Sequence, residues 1–164
     1  MRIIVDSREK WTQSNSTDTH IKSYFERHGI EYEVRKLDCG DYMLDGQPNI
    51  TVDRKQSLLE LSRNLLNVGD AARFWREVRR AHEQRIKLVV LIEDGRTIKD
   101  IRDISRWHSK YSPVSGRKLL FEMCRVEMAY GVTFMLCDRR STARRIVEIL
   151  TTGEKSNDMS VQGL

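Results

Sequence analysis

The chain has 164 residues, 39% hydrophobic and 32% charged, with a formal net charge of +5 and a pI of about 9.2. That length supports one domain with a sizeable core, and with no bilayer-length apolar run and no charged-then-apolar leader, neither a membrane nor a secreted protein is expected. The basic excess permits a polyanionic partner without requiring one, while three cysteines, Cys39, Cys124 and Cys137, without a C-x-x-C pair, predict reduced thiols and a cytoplasmic location, or a nuclear one in a eukaryote.

Arg2 to Asp6 carries Ile3, Ile4 and Val5, a β-branched run that predicts a strand buried on both faces and ended by an acid. Residues 10–16, KWTQSNS, are polar and read as a turn. Thr17 to His28 predicts a helix, capped by Ser16 or Thr17, favoured by Asp18 at its positive end and stopped by Gly29. Ile21, Tyr24, Phe25 and His28 share the face that packs on the sheet, with His28 in the last turn as a partner of the helix dipole. Glu31 to Leu37 alternates Tyr32 and Val34 with charged residues, the pattern of a half-exposed strand.

Gly40 to Lys55, GDYMLDGQPNITVDRK, then predicts a hairpin. Asp41 precedes the apolar run Tyr42 to Leu44, Asp45, Gly46, Pro48 and Asn49 make the turn, and Ile50 to Val52 leads to Asp53 and Lys55. Alternate strand residues face the same way, so Asp53 and Lys55 point together and the hairpin gathers two carboxylates and an ammonium. Like charges so close raise each other's pKa. A divalent cation such as Mg²⁺ between them removes that penalty and keeps waters for Lys55 to help deprotonate. The alternative is a charged, solvated hairpin.

Ser57 is placed to cap a helix whose Leu58, Leu61 and Leu65 form a buried stripe. Asp70 to Gln84 predicts a basic helix with Phe74, Val78 and Ala81 inward. Its Arg73, Arg76 and Arg80 align on a neighbouring face, suited either to phosphate contact or to solvation beside Glu77 and Glu83. Lys87 to Ile92 predicts a second buried strand, and Thr97 to Arg106 a short charged helix. In RWHSKYSP, Arg106 to Pro113, Trp107 and Tyr111 either cover a core edge or stack on unpaired bases. Ser115 to Tyr130 predicts a helix with Leu119, Met123, Val126 and Tyr130 on one face and Leu120, Phe121, Cys124 and Met128 at other angles. Thr133 to Leu136 reads as a final strand. Ser141 to Thr151 reads as a helix with Ala143, Ile146, Val147 and Leu150 inward and Arg139, Arg140, Arg144 and Arg145 around it. Residues 153–164 form a polar tail expected to be disordered, which leaves 1–152 as the domain. Strands alternating with helices point to a three-layer α/β domain with a central mixed sheet.

Three ordered motifs carry a family resemblance. The hairpin, GD followed by DRK, resembles the GD-x(n)-ERK signature of the XPF-type structure-specific endonucleases, which include archaeal Hef and the Mus-type nucleases. Val5 to Glu9, VDSRE, is similar to that family's opening V-D-x-R-E. Arg73-Phe74 with Glu77 and Arg80-Ala81, then LVVLIED at Leu88 to Asp94, follow in the family order, so the similarity runs from about residue 2 to about residue 151. The resemblance implies a nuclease domain with a restriction-endonuclease-like fold, its hairpin beside the first strand, and a free-standing form of that domain is expected here. It implies a metal-dependent DNA endonuclease acting on branched, flapped or junction DNA, in repair or recombination. Asp41 and Asp53 would hold Mg²⁺ or Mn²⁺, with Asp6 and Glu9 nearby in the metal site and the Arg54 carbonyl as a further ligand. Lys55 would orient the attacking water or stabilise charge on the phosphate, and Arg8, in VDSRE, would contact phosphate; proximity to the hairpin favours phosphate contact by Arg73, Arg76 and Arg80 as well. The family pairs through its C-terminal helices, so a homodimer is expected, covering the extra apolar positions around Phe121.

Two departures stand out. Asp53 replaces a glutamate, and the acid expected at position 59 is Leu59, with Glu60 one place later. A helix turns about 100° per residue, so Glu60 does not automatically take over that place. The shift leaves a rival open, a catalytically weak or inactive DNA-binding scaffold subunit, and an RNA-processing nuclease is a further alternative.

Overall fold

The computed structural model describes residues 1–9, 11, 19–67, 69 and 71–153. The proposed caps Ser16 and Thr17, the acid Asp18, Asp70 at the expected start of the basic helix and the tail beyond Gly153 lie outside them. A six-stranded sheet runs through the centre: β1 (Arg2–Asp6), β2 (Glu31–Arg35), β3 (Tyr42–Leu44), β4 (Gln47–Lys55), β5 (Lys87–Ile92) and β6 (Thr133–Leu136). Its order is β2-β1-β3-β4-β5-β6. β1 pairs parallel with β2, β3 is antiparallel to both β1 and β4, and β4, β5 and β6 run parallel. The hairpin therefore lies beside the first strand.

Among the described residues five helices cover the two faces: α1 (Thr19–Arg27), α2 (Leu58–Leu66), α3 (Ala71–Glu83), α4 (Gly116–Tyr130) and α5 (Thr142–Thr152). The strand period of two divides the apolar residues between them. Leu88, Val90, Ile92 and Phe134 pack with Leu58, Leu61, Phe74, Val78 and Leu119 beneath α2, α3 and α4. Ile3, Val5, Val52, Val89, Leu91 and Met135 face the other way, onto Ile21 and Phe25 of α1 and Ile146 and Ile149 of α5. Each such side chain fully withdrawn from water contributes about 1.5–3 kcal/mol. This is the three-layer α/β arrangement, with one core on either side of the sheet. Among the described residues no helix is long and apolar enough to cross a membrane.

Several elements differ in detail from the pattern in the sequence. The turn narrows to Asp45 and Gly46, and Pro48 and Asn49 belong to β4, where the register slips between Met43 and Leu44. That bulge absorbs Pro48, which has no N–H for the ladder. The helix expected over 97–106 is a shorter 3-10 turn, Ile101–Arg106, capped by Asp100. Trp11, in a stretch that reads as polar turn, is buried edge-on against Phe25 and Tyr32. Trp107 packs on the core beneath α4, whereas Tyr111 is exposed. On α1, Ile21 and Phe25 are buried, while His28 is exposed and donates a ring N–H to the Tyr24 carbonyl at 2.8 Å. On α4, Leu120 and Cys124 lean on the core, leaving Phe121 and Met128 in solvent. Cys39 and Cys137 are buried free thiols, pushed up to about 11 chiefly by burial.

Candidate active site

The C-terminal ends of β1, β4 and β5 converge with the start of β3, and backbone bonds lock that junction. Asp6 N–H donates to the Asp41 carbonyl at 2.8 Å, Asp41 N–H to the Val52 carbonyl at 2.7 Å, and Glu93 N–H to the Lys55 carbonyl at 2.9 Å. Gly40 turns the chain into β3 with φ +72°, and a Cβ there would collide with the Thr51 side chain. Only glycine suits that place, so Asp41 sits where it does because residue 40 has no side chain.

A cavity of about 170 Å³ opens at this junction. The hairpin supplies Asp41, Asp53, Arg54 and Lys55, and the 3-10 turn after β1 supplies Arg8 and Glu9. Glu60 and Asn64 of α2 and Arg73, Phe74 and Glu77 of α3 complete the wall. Of the residues singled out in the sequence, Asp41, Asp53, Lys55, Glu9, Arg54, Arg8 and Arg73 meet here. Asp6, Arg76 and Arg80 do not line the cavity.

Lys55 is nearly buried and donates from Nζ to Asp53 Oδ1 at 3.0 Å. Nζ also lies 2.8 Å from Asp53 Oδ2 as an ion pair, yet Oδ2 is buried and makes no hydrogen bond. The ammonium sits 5.2 Å above the Phe74 ring, which fixes it from the α3 side. Burial alone would lower the Lys55 pKa, but the Asp53 and Asp41 carboxylates outweigh it and raise the value, so the amine stays charged. Asp41 moves the opposite way from an ordinary acid. Burial first, then the like charges of Asp53 and Glu9, push it well above the usual carboxylate range, against Lys55 and the Arg54 N–H that it accepts at 2.8 Å. Glu77 is likewise raised, by burial and by Asp53, while accepting a short hydrogen bond from Gly40 N–H.

Asp6 is fully buried beside the cavity. It accepts from Arg8 Nε at 2.6 Å, Arg8 Nη2 at 3.1 Å, Arg8 N–H at 2.8 Å and Leu37 N–H at 2.7 Å. Burial raises its pKa, but these donors outweigh burial and hold it below the usual value. Both oxygens are thus engaged by protein, and what the geometry gives Asp6 is the aim of Arg8. Glu9 accepts from the Tyr42 hydroxyl at 3.0 Å and lies 3.5 Å from Arg54 Nη2. Arg80 donates to the Asp38 carbonyl, and Arg76 is exposed away from the cavity. On the α2 side, Ser57 caps the helix and Glu60 accepts from Gln56 N–H at 2.7 Å while facing the cavity. Glu77, a wall residue, enters the sequence reading as part of a family motif and as balance for the arginines, not as a site residue. Its place four residues after Arg73 was the available signal, because residues i and i+4 share a helix face.

Among the described residues no group of three or more His, Cys, Asp or Glu side chains is arranged to hold a metal ion. The donors nevertheless suit a hard cation that keeps several waters: carboxylate oxygens of Asp41 and Asp53, with Asp53 Oδ2 held by the Lys55 ion pair alone, and no sulfur or imidazole. A cation would also relieve the crowding that raises Asp41.

The family model described as ERCC4 domain matches residues 5–149. No curated protein matches the chain. Among solved structures, XPF from Aeropyrum pernix is similar with a TM-score of 0.65 and 20% identity, over 92% of this chain and 63% of that one. The structure of XPF from Aeropyrum pernix in complex with DNA is similar with a TM-score of 0.63 and 22% identity, over 91% and 62%. The chain thus spans about three fifths of the length of those solved chains.

Proposed function

The chain belongs to the ERCC4 domain family, and from that premise we propose that it is a metal-dependent DNA endonuclease hydrolysing phosphodiester bonds in branched or flapped DNA. The observation that carries this reading is the hairpin end: Asp41, Asp53 and Lys55 share one cavity, with Arg8 and Arg73 on its walls. A similar fold is known in complex with DNA, which supports the choice of substrate.

Asp41 and Asp53 would hold Mg²⁺ or Mn²⁺, with Glu9 nearby and the Arg54 carbonyl as a further oxygen. A bound divalent cation supplies Lewis-acid polarisation of a phosphoryl oxygen and a more acidic water. Lys55, kept charged by Asp53, orients the attacking water or stabilises the extra negative charge on the phosphorane. Arg8, aimed by Asp6, and Arg73 contact phosphate oxygens, for which guanidinium geometry is suited. Glu77 holds Gly40 and with it the position of Asp41.

The purified chain, given Mg²⁺ or Mn²⁺, is expected to cut a flap, fork, nicked or four-way substrate faster than linear duplex. Equal rates on all of them would remove the branched-DNA preference. Binding to these substrates without any cut would favour the inactive-scaffold reading.

The two arginines separated by the geometry make a prediction about affinity. Arg73→Ala is expected to flatten the plot of log affinity against log salt by about 0.9, one phosphate's share, and Arg76→Ala to leave it unchanged. Equal losses would return both to a general basic face.

A homodimer through α4 completes the proposal. Phe121 and Met128 are 65% and 87% exposed, seven residues apart on one stripe that none of the described residues covers. A second copy related by two-fold symmetry covers both stripes at once. Light scattering at micromolar concentration should give a dimer mass, and Phe121→Glu a monomer; a dimer that persists in the variant rules out this face.

A further inference from the structure

A second cavity, of about 530 Å³, opens at the same edge of the sheet, beyond the C-terminal ends of β5 and β6 and against Thr19 and His20 at the start of α1. Its walls carry three arginines, Arg96, Arg139 and Arg140, all exposed. It also contains three carboxylates, but the fold already engages each of them. Glu93 accepts from Thr142 Oγ1 at 2.8 Å and from Arg54 Nη1 at 3.3 Å, Asp94 from Leu58 N–H at 2.8 Å, and Asp138 from Arg140 N–H at 2.9 Å. The cationic ends of Arg96 and Arg140 are what the cavity offers to solvent.

The loop that brings Arg96 there is tightly made. Gly95 N–H donates to the Cys137 carbonyl at 2.9 Å, and a Cβ on Gly95 would lie 2.7 Å from the Cys137 carbonyl carbon. No side chain fits without moving backbone, so glycine draws Arg96 against the turn bearing Arg140. The cavity is also wired to the hairpin. Glu93 N–H donates to the Lys55 carbonyl, and the Glu93 carboxylate grips Arg54, whose other nitrogen lies 3.5 Å from Glu9.

We infer that this cavity is a second phosphate subsite, holding the DNA backbone beyond the scissile phosphate through Arg96 and Arg140; the inference rests on the DNA-nuclease reading above and deepens it. Neighbouring strands lie about 4.8 Å apart, so β4 and β6 are separated by about 10 Å. At about 3.4 Å of rise per nucleotide that in-sheet distance alone spans about three nucleotides of one strand, the least separation of the two sites. A strand crossing this sheet edge meets Arg73 and Lys55 on one side and Arg96 and Arg140 on the other. The subsite thereby selects a substrate whose backbone continues past the cut in that direction.

The test uses the whole chain with Arg96→Ala/Arg140→Ala, on a flap substrate without divalent cation so that only binding is read. The double variant is expected to bind about tenfold more weakly at moderate salt, with a salt slope flatter by about 1 to 2. A neutral methylphosphonate walked along the strand should weaken wild-type binding at the scissile position and again at least about three nucleotides away, and the second loss should vanish in the double variant. Wild-type DNA binding with an unchanged slope in the variant, or with no second sensitive position, overturns the subsite alone. A wild-type chain that binds no DNA overturns it together with the proposed function. Thermal melting of the double variant guards against misfolding: a melt lowered as far as the binding overturns the assignment, whereas an unchanged melt with the flatter slope supports it.

Discussion

Asp41→Asn and Asp53→Asn are expected to lose cleavage alike, by about 10²–10⁴-fold, while shifting stability in opposite directions at neutral pH. Asp41 binds its proton more tightly in the folded chain than in the unfolded one, because of burial and then of Asp53 and Glu9. Such a group contributes stability below its unfolded pKa, about 3.9, and that contribution is lost as pH rises through the folded value. Asparagine never ionises, so Asp41→Asn should melt higher than wild type at pH 7–8 without divalent cation, and the gain should fade toward acid pH. Asp53→Asn removes the nearest partner of the nearly buried Lys55 ammonium, 2.8 Å away. Breaking a buried pair from one side costs about 3–5 kcal/mol, so this variant should melt lower throughout the range where the lysine is charged. Melting curves and single-turnover rates on the same preparations check both halves. A variant that keeps more than about a tenth of the wild-type rate, roughly 1.4 kcal/mol in barrier, removes that carboxylate from the site. Glu60→Gln separates wall from site: its carboxylate already serves Gln56 N–H, and a loss below about tenfold is expected.

The second large effect falls on Asp6, and it is a loss of stability. Asp6→Ala leaves the Leu37 N–H and the Arg8 guanidinium without the carboxylate that receives them. The expected cost is about 1–3 kcal/mol, the scale for leaving the buried Leu37 N–H unpaired, because the Arg8 side chain is 40% exposed and water takes over its charge. Because donors hold the Asp6 pKa down in spite of burial, its contribution is present above the unfolded pKa and lost as pH falls through the folded one. The wild-type and Asp6→Ala melting curves should therefore converge at acid pH. A variant of wild-type stability that fails only to cut would instead make Asp6 a ligand.

The strands and helices were legible because their signals are local and dense. The unbroken runs at Ile3 to Val5 and Leu88 to Ile92 announce strands covered on both faces, and the Leu58, Leu61 and Leu65 stripe announces α2. Asp53 and Lys55 were legible as a pair because two residues apart on a strand means one face, a rule that needs no tertiary information. Trp11 was hidden because its neighbours are polar and its burial depends on Phe25 and Tyr32, distant in sequence. The separation of Arg73 from Arg76 depends on how α3 is rotated over the hairpin, which helical period alone leaves open over about 100°. Glu77 was legible in a family motif but not as a site residue, for the same reason, and its bond to Gly40 spans 37 positions. Asp6 resembles a site acid in the motif, and only the fold reveals that Arg8 and Leu37 occupy its oxygens.

The most direct measurement of the central claim compares wild type with Lys55→Ala, at single turnover, on one flap substrate in Mg²⁺ and again in Mn²⁺. Wild type should cut at a defined phosphodiester near the branch and stop cutting when the metal is chelated. Lys55→Ala should bind the same DNA yet cut at least about 10²-fold more slowly, because the ammonium between Asp53 and the cavity is gone. Equal rates in the two proteins, or cutting that survives chelation, would contradict the assignment of Asp41, Asp53 and Lys55 as a metal-dependent phosphodiester-hydrolysing site.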